Sequence, residues 1–320
     1  MIDPWKRRSV EELLMKPMAV RFSQYVLFVA ISAAPLFAGC SRLPPDVLPT
    51  ESKFTSIRDS IDAGGATTST AGATASVGTP TGWSTLKGKF KVSSGSITPV
   101  ALPVDKEKDV CAPGGKTVFS EEVVTDPNGG LKNVLLVVSQ VIPDEEPWTH
   151  PSMKSGKTDP VLFDQKACIF LSHMLSLQVT QPLLVRNSDP VGHNTSMKPK
   201  KNAASDLLIP GGGESKYQAR KEEDSPFPVS CAIHPWMKAH ITFRTNSYFA
   251  VSKEDGSFEI PNLPAGVELE FRAWQEKTNF IQAVNVNGKA EKWPKGKFKL
   301  TLQPNEAKEL EVVLDGGLLK

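Results

Sequence analysis

Apolar side chains fall along this chain in three regimes. From Tyr25 to Gly39 they are nearly continuous, following Lys16 and Arg21. From Gly64-Gly65-Ala66-Thr67-Thr68-Ser69-Thr70 onward, large apolar groups almost vanish and Ala, Gly, Ser, Thr and Pro take over. Beyond Trp83, short apolar segments recur, cut by Gly, Pro, Asn and Asp. Leu86 to Val92 alternates with period two, as a half-buried strand does. Asn133 to Val141 is a continuous apolar run, which suits a strand covered on both faces. Ala167 to Leu171, Leu175 to Val179, Pro182 to Arg186 and Ala239 to Arg244 read as further strands. Val267 to Trp274, Lys297 to Leu302 and Glu309 to Leu314 continue the series. No segment keeps a long helical apolar period. Regular short strands separated by turn residues predict an all-β protein, built as a sandwich or barrel.

The first regime has the form of an export signal: basic residues, an apolar stretch, then small residues before a cut. The stretch is shorter than the about 20 residues that a spanning helix needs. Leu36-Phe37-Ala38-Gly39-Cys40 resembles the lipobox of bacterial lipoproteins, which implies that Cys40 is acylated and becomes the mature N-terminus. Residues 1–40 are therefore expected to be a lipoprotein signal peptide. Residues 41–82 are expected to be a flexible linker, because such a composition cannot offset its ordering entropy. The folded part would stand outside the cytoplasm, on the periplasmic side or the cell surface, held to the membrane by its lipid alone.

At 320 residues the chain has room for about two domains. An apolar content of 39% with 26 prolines suits a globular, turn-rich protein. A net charge of +2, without a basic helix or an aromatic-basic stripe, argues against a nucleic-acid partner. Nucleophile elbows, metalloprotease helices and phosphate-cradling loops are also missing from the sequence, so hydrolytic and phosphoryl chemistry lacks its machinery.

Five histidines and four cysteines can be taken one at a time. Ser230-Cys231-Ala232-Ile233-His234-Pro235-Trp236-Met237 spaces a thiol, an imidazole and a thioether so that one loop can aim all three at a point. Soft sulfur with imidazole selects copper or zinc. Two histidines and a cysteine near one plane, with a weak axial methionine, are the donors of a blue-copper electron-transfer site. Val191-Gly192-His193-Asn194 supplies the second histidine. If Cys40 is acylated, Cys111, Cys168 and Cys231 remain in an oxidising compartment. Pairing Cys111 with Cys168 leaves Cys231 for a metal, whereas pairing Cys231 with either of the others destroys the site. The first pairing is favoured because Cys231 alone has a spaced His and Met beside it. His150 and His173 have no spaced partners, and His173 and His240 read as hydrogen-bonded or partly buried side chains.

Asn187 to Asn194, taken with Cys231-x-x-His234-x-x-Met237, resembles the cupredoxins, most nearly their amicyanin and pseudoazurin branch. The resemblance implies a Greek-key β-sandwich holding one type-1 copper, with Cys231 as thiolate, His193 and His234 near its plane, and Met237 axial. It also implies that Asn194 ties the first-histidine loop to the cysteine loop. Ile233 stands where some family members carry proline, and its N–H is expected to reach the sulfur. His234, between Pro235 and Trp236, is expected to be the edge for electron entry, inside an apolar patch where a partner docks. Five histidines cannot furnish the trinuclear cluster of a multicopper oxidase, and one cysteine in the loop cannot make a binuclear purple site.

Asp255 to Gly266 reads as turn, short strand, turn, and resembles the carboxypeptidase-regulatory-like modules, small transthyretin-like β-sandwiches. The combination is similar to exported proteins of planctomycete-type bacteria. A cupredoxin-like domain is thus expected over 83–247 and a regulatory-like β-module over 248–320, with Trp83 to Val92 able to lend a strand to the later unit. The leading expectation is a membrane-tethered, extracytoplasmic electron carrier, not an enzyme, serving an unidentified redox protein. The alternative is a surface lipoprotein with structural or no copper that binds carbohydrate or protein, using Trp83, Trp148, Trp236, Trp274 or Trp293 as aromatic platforms.

Overall fold

The computed structural model describes residues 78–320. The expected leader, Cys40 and nearly all of the linker lie outside the described residues. The described chain is nearly all β and forms two sandwiches, each with its own apolar core.

The first sandwich carries the Cys-His-Met loop. One of its sheets runs in the order Ser205–Ile209, His193–Met197, Phe227–Ser230, Lys238–Arg244, Met174–Gln178. The other runs Glu214–Tyr217, Leu183–Asn187, Val161–Lys166, Ile169–Phe170. Inward residues of both, among them Phe163, Leu183, Val185, Phe227, Ile241 and Phe243, are fully or almost fully buried in one cluster. At roughly 1.5–3 kcal/mol per large apolar side chain removed from water, this cluster dominates the local stability.

The second sandwich draws on both ends of the described chain. Trp83–Val92 lies antiparallel to Ser257–Pro264 and parallel to Ala307–Leu314. Its alternation puts Ser84, Leu86, Phe90 and Val92 inward. Leu135–Val138 pairs with Phe249–Val251 and Glu268–Gln275 in the facing sheet. Strand pairing therefore crosses the boundary expected at 248: segments before the Cys-His-Met loop complete the sheets of the segments after it.

Leu135–Val138 is buried at every position. Leu136 and Val138 enter the core with Leu86 and Phe271, while Leu135 and Val137 join Met174 and Trp274. Met174 belongs to the first sandwich, so this strand is a wall shared by both units, and that explains its unbroken apolar run. Ala167 to Leu171 is not one strand as its pattern suggested. Ala167 and Cys168 form a turn, both at φ 52°, between Val161–Lys166 and Ile169–Phe170.

Candidate metal centre

His193 opens the strand His193–Met197 after a turn held from within by Asn187. The buried Asn187 amide donates to the carbonyls of Val191, Ile209 and Pro210 at 2.8–3.1 Å, and its oxygen accepts from the Asp189 amide. Asp189 is thereby aimed inward. Its carboxylate accepts from the amides of Ala167 (2.7 Å) and Cys168 (2.9 Å) and from His193 Nε2 (2.7 Å). Left-handed backbone is uncommon for residues with a Cβ. Asp189 holds the Ala167–Cys168 turn in that conformation and orients the first histidine with the same group.

The second half of the site is the loop that links Phe227–Ser230 to Lys238–Arg244. The Cys231 amide donates to the Met237 carbonyl (3.2 Å), and the Met237 amide donates to His234 O (2.9 Å), which closes the loop on itself. The Asn194 side-chain oxygen accepts from the Ala232 amide at 2.9 Å, linking the two halves. Cys231 Sγ accepts from the amides of Asn194 (3.3 Å) and His234 (3.4 Å). The Ile233 amide is not one of these donors. The loop turns so that the His234 amide faces the sulfur, while Ile233 presents its carbonyl to Lys106 Nζ (3.1 Å). The expected Ile233-to-sulfur bond is therefore replaced by one from the next residue.

His193, Cys231, His234 and Met237 are all at most 2% exposed. His193 Nδ1 and His234 Nδ1 stand 2.9 Å apart, and Cys231 Sγ lies 3.7 Å from His234 Nδ1. All three donor atoms fall within 4.8 Å of one another. Met237 is seated in the same loop.

The far side of each ring decides what these atoms can do. His193 Nε2 donates to Asp189, and His234 Nε2 donates to Glu107 Oε2 at 2.5 Å. When one ring nitrogen of a neutral imidazole is the donor, the other carries the lone pair. Two lone pairs then face each other at 2.9 Å beside a sulfur that already accepts two N–H groups. A shared proton or a cation satisfies that arrangement, and nothing apolar does. A soft cation bound among them would take both nitrogens and the sulfur as donors. Carboxylate–imidazole pairs of this kind are what orients and sharpens metal-binding histidines. Burial, which outweighs the hydrogen bond that His193 donates to Asp189, pushes the His193 pKa down and favours the neutral ring, as a ligand must be.

Cys111 and Cys168 are disulfide-bonded with their Cα atoms 4.9 Å apart, and Cys231 is a free, buried thiol. Both disulfide sulfurs lie within 4.8 Å of a His234 ring nitrogen. The bridge pins the short helix Lys108–Cys111 against the site and so carries Glu107, its N-cap, over His234. Trp236 donates its indole N–H to Cys168 O (3.1 Å) from below. His234, expected as the edge for electron entry, is fully buried: Glu107 hydrogen-bonds its outer nitrogen, and Lys106 reaches the carbonyl of the neighbouring Ile233.

Sequence reasoning missed Asp189 and Glu107. Asp189 lies inside the motif that drew attention to His193, and an acidic residue one turn-length before a ligand histidine was a usable signal. Glu107 had none.

No family model matches the chain, and no curated protein matches it. Among solved structures it is similar to amicyanin from Paracoccus versutus, at 11% identity and a TM-score of 0.24, over 30% of this chain and 100% of that one. It is also similar to a copper-containing nitrite reductase from Thermus scotoductus SA-01, at 16% identity and a TM-score of 0.26. That match covers 33% of this chain and 27% of the reductase.

Proposed function

We propose that this chain binds one copper ion through His193, Cys231 and His234, with Met237 as a weak fourth donor, and that it carries single electrons. The observation that carries the reading is the convergence of two imidazole lone pairs on a free buried thiol, each imidazole anchored by a carboxylate. Imidazole and thiolate together suit Cu(I) and Cu(II) alike. When bound there, copper supplies a one-electron couple.

The chain's own groups do the rest. Asp189 and Glu107 hold the ring nitrogens in one tautomer, and the amides of Asn194 and His234 place hydrogen bonds on the sulfur. Burial of every donor excludes water, so the positions of the ligands change little with the charge at the centre. An electron enters through the cover over His234, where Lys106 and Glu107 present opposite charges to a redox partner. The lipid anchor at Cys40 and the linker belong to the same reading: a tethered carrier on the extracytoplasmic side of a membrane. The carbohydrate-binding alternative loses most of its platforms, because Trp236, Trp274 and Trp293 are buried.

Voltammetry of the copper-loaded protein tests the proposal. A reversible one-electron wave that disappears in Cys231→Ala, with the fold intact by circular dichroism, is expected. A wave unchanged in that variant would overturn it.

A further inference from the structure

His173, His240 and Glu276 were separate, unremarkable residues in the sequence, and the fold brings them together. His173 lies in the turn before Met174–Gln178 and is 6% exposed. His240 lies on the neighbouring parallel strand Lys238–Arg244, and its amide donates to the His173 carbonyl at 2.7 Å. Glu276 comes from the other sandwich, directly after Glu268–Gln275. Glu276 Oε2 is 2.5 Å from His173 Nε2 and 3.6 Å from His240 Nδ1. The three donor atoms lie within 4.8 Å of one another, and Glu121 Oε2 stands 3.9 Å from His173 Nδ1.

A buried histidine–glutamate pair would account for His173 and Glu276 but not for His240. Its Nδ1 is buried and has no hydrogen-bond partner, which is costly for a desolvated polar atom. The ring cannot easily turn away, because it packs against Trp274 with centroids 4.9 Å apart. His173 and Glu276 line a cavity of about 330 Å³ whose wall also includes Glu121, Lys238, Trp236 and Met237, and His240 stands behind them. Two imidazoles and one carboxylate suit borderline divalent ions such as Zn²⁺, and they leave coordination positions for water or substrate.

We propose that His173, His240 and Glu276 form a second metal site for a Zn²⁺-class divalent ion, open to this cavity and built across the junction of the two sandwiches. It stands apart from the copper reading, sharing none of its donors.

The test uses the full chain and Co²⁺, whose absorption distinguishes the two sites. The wild type should take up Co²⁺ at both: one population with a thiolate charge-transfer band, one with weak d–d bands alone. Cys231→Ser should keep the second population. Glu276→Gln and His240→Phe should lose it and keep the thiolate band, with metal content by mass spectrometry falling by about one equivalent. His240→Phe preserves the packing on Trp274, and Glu276→Gln preserves volume, so at least one variant should fold. Unchanged Co²⁺ uptake in a folded Glu276→Gln or His240→Phe would overturn the second site. So would uptake in the wild type accompanied only by the thiolate band. Absence of the thiolate band in the wild type, with Glu276-dependent uptake retained, would instead sink the copper reading alone.

Discussion

The Glu107 carboxylate reaches His234 Nε2 from a side chain that is itself 40% exposed, so it links solvent to one of the imidazoles proposed to hold copper. An anionic acceptor on the far nitrogen makes the near nitrogen a better donor and favours the higher charge on a bound ion. Glu107→Gln should therefore raise the reduction potential while leaving the visible band in place. A potential that falls or stays put in voltammetry would show that Glu107 only covers the ring. At this scale the candidate donors were legible, because Cys231, His234 and Met237 share one loop and His193 precedes an asparagine. Their anchors were not, since Asp189 and Glu107 meet the rings only after the chain has folded. The sulfur's donors were not legible: Asn194 was read only as the side-chain tie between the loops, and the His234 amide takes the place given to Ile233.

Among the elements, Trp83–Val92 is the most demanding. It is interior to its sheet and receives a strand on each side. Gly88 occupies an inward position of its alternation, where a Cβ would run into the Leu310 carbonyl of the parallel neighbour. Neither backbone can retreat, because each is held by its ladder. Overpacking typically costs about 1–3 kcal/mol, and a clash with backbone belongs at the upper end. Gly88→Ala should lower stability by about that much in urea unfolding, and a neutral effect would mean the two strands can separate without loss. Alternation made this segment recognisable as a strand. Its pairing with Ala307–Leu314 was beyond local pattern, since parallel register across the length of the chain leaves no turn to read. The Asp255-Gly256 turn was legible for the opposite reason: Gly256 sits at φ +78°, which its sequence advertises. Ala167-Cys168 makes a left-handed turn without glycine, so its pattern read as strand.

The whole described molecule is joined where the chain passes from Lys238–Arg244 to Phe249–Val251. Tyr248 is buried at this crossing; its hydroxyl donates to Asn262 O (3.0 Å) and accepts from the His150 amide (3.1 Å). Burial pushes its pKa from 10.0 up to about 12. The folded state thus resists ionisation that the unfolded chain undergoes. Its contribution is full below pH 10 and is lost as pH rises toward about 12. Tyr248→Phe should flatten this alkaline loss in thermal melts between those values, and an unchanged slope would assign the loss to other groups. The short strands were legible from spacing and turns. Their interleaving was foreshadowed only by the run around Leu135–Val138, which is apolar on both faces because each face serves a different core.

If His193, Cys231 and His234 hold one copper ion, visible absorption of residues 78–320 after adding Cu²⁺ will show it. A strong thiolate-to-copper charge-transfer band is expected, absent in Cys231→Ala. A folded, copper-treated protein with no such band would contradict it.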